Sequence, residues 1–135
     1  MNWRLVLQLS LFGLAMGLGT VFFIGPNVEP VLWLLIFVFC AYRIARQAPD
    51  KRFMHGLLLG LVNSVWITTA HVLFFNQYLS GHAREAEMMK SMPLPDSPRL
   101  MMVLTGPVVG LISGVAIGIL AVIAAKLVKR GKAVR

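Results

Sequence analysis

Four long apolar segments dominate this chain of 135 residues. They cover residues 5–24, 28–45, 53–79 and 100–125, to within a residue or two. About 20 apolar residues cross the hydrocarbon core of a bilayer as one helix. Hydrophobic residues make up 58% of the chain, more than a water-soluble surface tolerates. The sequence therefore predicts an all-α integral membrane protein: one domain over residues 1–135, folded as a four-helix transmembrane bundle within the lipid bilayer.

The segments between the apolar runs are too short for a soluble domain. The longest is an outer loop at 80–99, in which AREAEMMKSM predicts a short surface helix that the following prolines end. The first apolar run follows a single basic residue, as in a secretory signal, but it lacks a small-x-small cleavage site and is long enough to span. We expect an uncleaved first helix.

The basic residues predict the orientation, because loops rich in lysine and arginine stay in the cytoplasm. Three of the thirteen fall in the outer loop, where three acidic residues match them. The other ten flank the opposite ends of the spans: Arg4, Arg43, Arg46, Lys51, Arg52, Lys126, Lys129, Arg130, Lys132 and Arg135. Both termini are therefore expected in the cytoplasm, and the net charge of +8 is mainly a topology signal.

Small residues recur every fourth position in three of the four spans. Because hydrophobic force between helices is weak in lipid, close backbone approach through small residues is a main source of helix association. The residues predicted to form packing faces are Gly13 and Gly17 in the first span, Gly56, Gly60 and Ser64 in the third, and Gly106, Gly110, Gly114 and Gly118 in the fourth. The first, third and fourth spans are therefore expected to form a tight core.

The second span has no glycine and is bulky around most of its circumference, so we expect it to face lipid more than the others do. The glycine face of the fourth span has two interpretations. It can pack within the chain, or it can join copies of the chain into a homo-oligomer, including a pore.

The third span carries the candidate intramembrane polar site. Asn63, His71 and Tyr78 fall within about 100° of arc on one helix. His71 is too far along the helix to bond the other two, so its hydrogen-bond partner is expected from another span or from water, with Thr20 and Thr105 as candidates. No Asp, Glu, Lys or Arg lies in the middle of a span.

Several function classes are disfavoured by what the sequence lacks. It has no catalytic constellation, HExxH motif or phosphate-binding Gly-Lys loop, so we expect no enzyme and no cofactor. It also lacks the aromatic-interleaved basic surface of nucleic-acid binding, and nucleic acid is not an expected partner. His82 with Met88, Met89 and Met92 in the outer loop is a candidate Cu(I) site. Methionines on an interfacial helix are, however, more often simple apolar contacts.

Three stretches carry a resemblance to known proteins: FMHGLLLGLVNSVW, YLSGHAREAEMM and GPVVGLISGVAIGIL. In this layout the chain resembles small uncharacterised bacterial four-span inner-membrane proteins, and the resemblance implies a bacterial inner membrane without implying an activity. The expected function is that of a non-catalytic scaffold or accessory subunit that binds a membrane-protein partner. The alternative is a small homo-oligomeric channel or transporter.

Overall fold

The computed structural model describes the backbone of residues 1–133 and the side chains through residue 128. Arg135 of the basic tail lies outside the described residues, as do the side chains of Lys129, Arg130 and Lys132. The described chain is helical, as the sequence predicts. Its helices are α1 (Trp3–Phe22), α2 (Glu29–Gln47), α3 (Arg52–Leu73), α4 (Phe75–Gly81), α5 (Ala83–Lys90) and α6 (Pro98–Ala133).

Three helices are long and apolar enough to cross a membrane. They are α1, α3 and the part of α6 from Pro98 to Val128. Helix α2 coincides with the second predicted span but is not one of these three. It carries Glu29 at its start and Arg43 and Arg46 in its last two turns.

The third predicted span, 53–79, is not one continuous helix. Helix α3 ends at Leu73, and Phe74 adopts a non-helical conformation with φ −109° and ψ 42° before α4 begins. The break occurs where the apolar run gives way to Asn76 and Gln77, which are exposed. It redirects the chain so that Phe75 and Tyr78 are buried. The predicted surface helix is present as α5, with Lys90 donating to Glu87 at 2.9 Å.

Helix α3 is the centre of the bundle. It packs along α6 on one side and along α1 on the other, while α2 packs chiefly against α6. These contacts agree with the tight core of three helices expected from the small-residue faces. Helix α2 has buried residues only in its second half, and as a whole it is enclosed about as much as the described part of α6.

The four long helices converge at the end of the bundle where α1 begins, which we call the terminal end. The opposite end, where α4 and α5 lie, is the loop end. The terminal end holds the hydrophobic core, whose largest fully buried members are Leu5, Val6, Cys40, Ile44, Leu59 and Ile117. At the loop end α2 has no buried residue, so the two ends of the bundle differ in how tightly α2 is held.

Candidate functional site

The glycines of α6 lie directly against α3. A Cβ atom added to Gly56 would overlap the backbone of Gly118, and one added to Gly60 would overlap the backbone of Gly114. Further toward the loop end, a Cβ on Gly110 would lie 2.6 Å from Ser64 Oγ. A Cβ on Gly106 would likewise overlap the hydroxyl of Thr68. Only glycine permits this approach, and we call this contact the α3–α6 seam.

A second close contact joins α1 to α3. A Cβ on Gly13 would overlap the side chain of Asn63, and one on Gly17 would lie 3.2 Å from the Cα of Ile67 and 3.3 Å from the Cβ of Ala70. The small-residue faces of α1, α3 and α6 are therefore occupied by contacts within this single chain.

Three aromatic rings stack at the loop end, because the break at Phe74 turns α4 back over the end of α3. The ring of Tyr78 lies between the two imidazoles, 3.9 Å from the centroid of His71 and 4.2 Å from that of His82. A continuous helix would have kept His71 and Tyr78 about two turns apart. The stack brings together His71 and Tyr78, two residues of the predicted polar site. It depends on a change of chain direction that helical periodicity in the sequence does not predict.

The imidazoles of the stack form hydrogen bonds to two different helices, α1 and α4. His71 Nε2 lies 2.8 Å from the hydroxyl of Thr20 on α1, one of the two expected partners, and that hydroxyl also donates to the carbonyl of Met16. His82 Nδ1 lies 2.9 Å from the carbonyl of Tyr78. Burial raises the pKa of the Tyr78 phenol, and the nearby charges of Glu29 and Glu85 raise it further. The phenol is therefore neutral at physiological pH.

Glu29, at the start of α2, faces this stack. Its Oε2 lies 3.5 Å from His82 Nε2, which is longer than a good hydrogen bond. Its Oε1 accepts a long bond of 3.4 Å from the indole N–H of Trp33. Through residue 128, no Lys or Arg lies within 4.0 Å of this carboxylate. Glu29 is therefore a partly buried acid whose one charged neighbour is an imidazole, charged only when protonated.

A cavity of about 390 Å³ extends from the ring stack into the bundle. We call the end of the cavity next to the ring stack, lined by Glu29, Tyr78 and His71, its mouth, and the end lined by Asn63 and Ser113 its deep end. The wall between is mainly apolar, with Trp33, Phe37, Ile67 and Val109. The remaining lining residues are Gly60, Ser64, Thr68, Met89, Met102, Thr105, Gly106 and Gly110.

The cavity exists because α2 does not approach α3 at the loop end. The first half of α2 presents Trp33 and Phe37, and it has no small residue that would allow close approach. In its second half Cys40, Ala41 and Ala45 are small and buried. The same absence of glycine that predicted a lipid-facing helix therefore leaves a gap beside the α3–α6 seam.

Asn63 is the most enclosed polar residue of the cavity. It is 4% exposed, and its Oδ1 has no hydrogen-bond partner in the described part of the chain. A buried amide without a partner loses about 1–3 kcal/mol relative to its hydrated state. This oxygen lies against Gly13 of α1, so the group that Asn63 can present to the cavity is its amide N–H₂.

The structure thus gathers Asn63, His71 and Tyr78 around one cavity. Sequence reasoning missed Glu29 and Trp33, because they come from the helix judged to be mostly lipid-facing. It also placed His82 in an exposed methionine-rich loop, whereas His82 is 1% exposed. The sequence contains no direct signal for the burial of His82, because the third predicted span ends at residue 79 and polar residues follow it.

His55 lies at the terminal end, away from the cavity. Its Nε2 accepts the backbone N–H of Asn2 at 3.0 Å, and its Nδ1 lies 2.8 Å from the carbonyl of Lys51. Since a backbone N–H only donates, Nε2 accepts and Nδ1 carries the proton. His55 joins the start of α1 to the start of α3, and this arrangement is structural.

Comparison with known proteins gave no match: no protein-family model, no curated protein and no solved structure matches this chain. Among residues 1–128, no group of three or more His, Cys, Asp and Glu side chains is placed to hold a metal ion. The cavity offers a carboxylate, aromatic faces and a free amide, which is the chemistry of a binding site.

Proposed function

We propose that this chain is a small non-catalytic protein of the bacterial inner membrane that serves as a scaffold or accessory subunit. The observation that carries the proposal is the α3–α6 seam. Gly114 and Gly118 of α6 lie against the backbone of α3 of the same chain, and Gly110 lies against Ser64. In the described part of α6, these three glycines are therefore not free to join copies of the chain around a pore.

The outward surfaces fit this role. They are bulky and apolar on each of the four long helices, with Leu11 on α1, Leu35 on α2, Val65 on α3 and Ile112 on α6 as examples. Such surfaces suit lipid or the apolar face of another membrane protein. The scaffold proposal predicts that one of these faces contacts a specific partner and that the others contact lipid.

In this proposal α2 is a fourth span. Its 19 residues extend about 28 Å as a helix, close to the thickness of the hydrocarbon core. Only residues 23–28 separate it from α1, and only 48–51 separate it from α3. With such short links, a helix that packs along α6 lies across the membrane if α1 and α3 do.

Both termini are proposed to be cytoplasmic, on the strength of the ten basic residues that the sequence puts on the side of the spans opposite the outer loop. Reporter fusions at the carboxyl terminus are expected to show a cytoplasmic signal, and fusions after Ser91 a periplasmic one. The reverse pattern would refute the orientation. Two signals from the same side, whichever it is, would refute a single span between Ser91 and the carboxyl terminus.

Site-specific photocrosslinking tests the scaffold role. A benzophenone side chain is introduced at position 35, 65 or 112, and the protein is irradiated in native membranes. A discrete adduct with one identified membrane protein, formed from one face only, is the expected result. Crosslinked dimers, trimers and larger oligomers of this chain, formed from every face, would contradict a scaffold and favour a channel.

The second candidate is a small homo-oligomeric channel or transporter, which the polar lining of the cavity favours. The variant that tests this candidate is His71→Gln, because glutamine keeps hydrogen-bonding capacity but does not titrate between pH 5 and 8. Proton or cation flux into proteoliposomes is compared for wild type and His71→Gln across that range. Under the scaffold proposal neither protein carries flux. A wild-type flux that His71→Gln abolishes in a stable protein would establish transport instead.

A further inference from the structure

We propose that the cavity at the loop end binds a small organic cation, with its charged group at Glu29 and its uncharged body directed toward Asn63. The proposal does not depend on the scaffold role, since a bound ligand serves an accessory subunit and a transporter equally. It follows from the volume, the charge and the polar groups of this cavity.

The volume is suited to a small molecule. At about 390 Å³ the cavity lies within the range of ligand pockets, about 300–1,000 Å³. Its wall is mainly apolar with polar groups at the two ends, which is also typical of such pockets. From His71 at the mouth to Asn63 at the deep end is about 12 Å along α3, so the favoured ligand is elongated.

The charge of the lining selects a cation. Glu29 is the one acidic residue among the lining residues, and none of them is Lys or Arg. Its contacts with Trp33 and His82 are long, at 3.4 Å and 3.5 Å. A partly desolvated carboxylate is costly unless it is paired. An ammonium group would supply the missing charge through a charge-assisted hydrogen bond.

The indole of Trp33 favours the same ligand. Trp33 lines the cavity beside Glu29, and the face of an indole ring attracts cations. Tyr78 does not contribute in this way, because His71 and His82 cover its two faces. An anion would meet both Glu29 and the face of Trp33, and it is disfavoured on both counts.

Asn63 distinguishes a built site from an apolar gap. Asn63 lines the cavity, and because its Oδ1 lies against Gly13 of α1, the group it offers at the end opposite the charge is the amide N–H₂. A cation with a hydroxyl or amide group at its far end would satisfy it. An aliphatic lipid chain would leave both Asn63 and Glu29 unpaired.

Isothermal titration of the full chain in detergent at pH 7 tests the proposal. The probe is 4-hydroxyphenethylammonium, which carries an ammonium group at one end and a phenol at the other. The matched compounds are 4-ethylphenol, which lacks the charge, and phenethylammonium, which lacks the hydroxyl. We expect saturable binding of one probe per chain. We also expect at least about tenfold weaker binding of 4-ethylphenol, a difference of about 1.4 kcal/mol.

Variants then locate the site. Glu29→Gln is expected to weaken the probe about tenfold and to leave 4-ethylphenol unchanged, while Glu29→Asp keeps the charge and most of the affinity. Glu87→Gln is the matched control, because Glu87 is exposed on α5 and pairs with Lys90. In Asn63→Leu, the probe is expected to bind no more tightly than phenethylammonium.

Three results would overturn the proposal. The first is no saturable binding of the probe by the folded wild-type protein. The second is 4-ethylphenol binding as tightly as the probe, which would make the cavity a purely apolar gap. The third is equal affinity in Glu29→Gln and Glu87→Gln. The first two need no variant, so they decide the matter even if Glu29→Gln does not fold. None depends on the crosslinking result that tests the scaffold role.

Discussion

Replacing Gly114 with leucine tests whether the α3–α6 seam holds the bundle together. A Cβ at this position would lie 2.5 Å from the carbonyl oxygen of Leu57 and 2.9 Å from its Cα. Both atoms belong to the backbone of α3, so no rotamer change relieves the overlap. Non-bonded carbon atoms prefer about 3.5–4.0 Å. The two helices must therefore move apart by roughly 1 Å, and the rest of the leucine side chain needs more.

The expected cost follows from what the separation disturbs. Inserting methylene groups into a packed core costs about 1–3 kcal/mol and sometimes more. Here the displaced contact also includes Gly60, whose own Cβ position overlaps Gly114. We therefore expect Gly114→Leu to lose about 3 kcal/mol or more of unfolding free energy. Gly114→Ala adds the Cβ alone and recovers about 1 kcal/mol of helix propensity, so its loss is expected to be smaller.

Val115→Leu is the matched control, since it places the same side chain on the next residue of the same helix. Val115 is 39% exposed, and an outward substitution of this kind usually changes stability by less than about 0.5 kcal/mol. The measurement is reversible unfolding of each variant in mixed detergent micelles, followed by circular dichroism. If Gly114→Leu and Val115→Leu both match the wild type, the α3–α6 seam is not a packing contact and the reasoning fails.

Three further substitutions test individual hydrogen bonds and ion pairs in the same assay. His71→Leu removes the bond to Thr20, so we expect a loss of about 0.6 kcal/mol and at most about 2; a neutral result for His71→Leu would show that this bond adds nothing. His55→Leu leaves the N–H of Asn2 without its acceptor and is expected to cost about 1–3 kcal/mol, whereas unchanged stability would mean that water replaces the imidazole. Lys90→Ala breaks an ion pair in which both side chains are 73% exposed, and a change above about 1 kcal/mol would contradict its surface character.

The packing faces of the helices were predictable from the sequence, because small residues at every fourth position lie on the same side of a helix. Gly110 and Gly114 share a face of α6 by periodicity alone, and Ser64 shares the corresponding face of α3. Which partner each face chooses was not predictable from one sequence. The pairing of α6 with α3, and of Gly13 with Asn63, depends on how four helices fill space together.

The candidate site was predictable only in part. Asn63 and His71 were expected on one polar face, and Thr20 was one of two expected partners for His71. The ring stack was not predicted, because no proline or glycine lies next to Phe74 to indicate that α3 ends there. Glu29 was assigned to a link between spans, and its place at the mouth of the cavity depends on the direction that α2 takes.

The direction of α2 connects the packing of the bundle with its binding cavity. Small residues at Cys40, Ala41 and Ala45 let α2 enter the hydrophobic core at the terminal end, while Trp33 and Phe37 keep it away from α3 at the loop end. A helix with small residues throughout would close along its whole length, as α3 and α6 do, and would leave no cavity. A helix without them would lose its place in the core. The uneven distribution of side-chain size along α2 therefore provides both a stable attachment and an open site, and it explains why the one charged group of that site is at the free end of this helix.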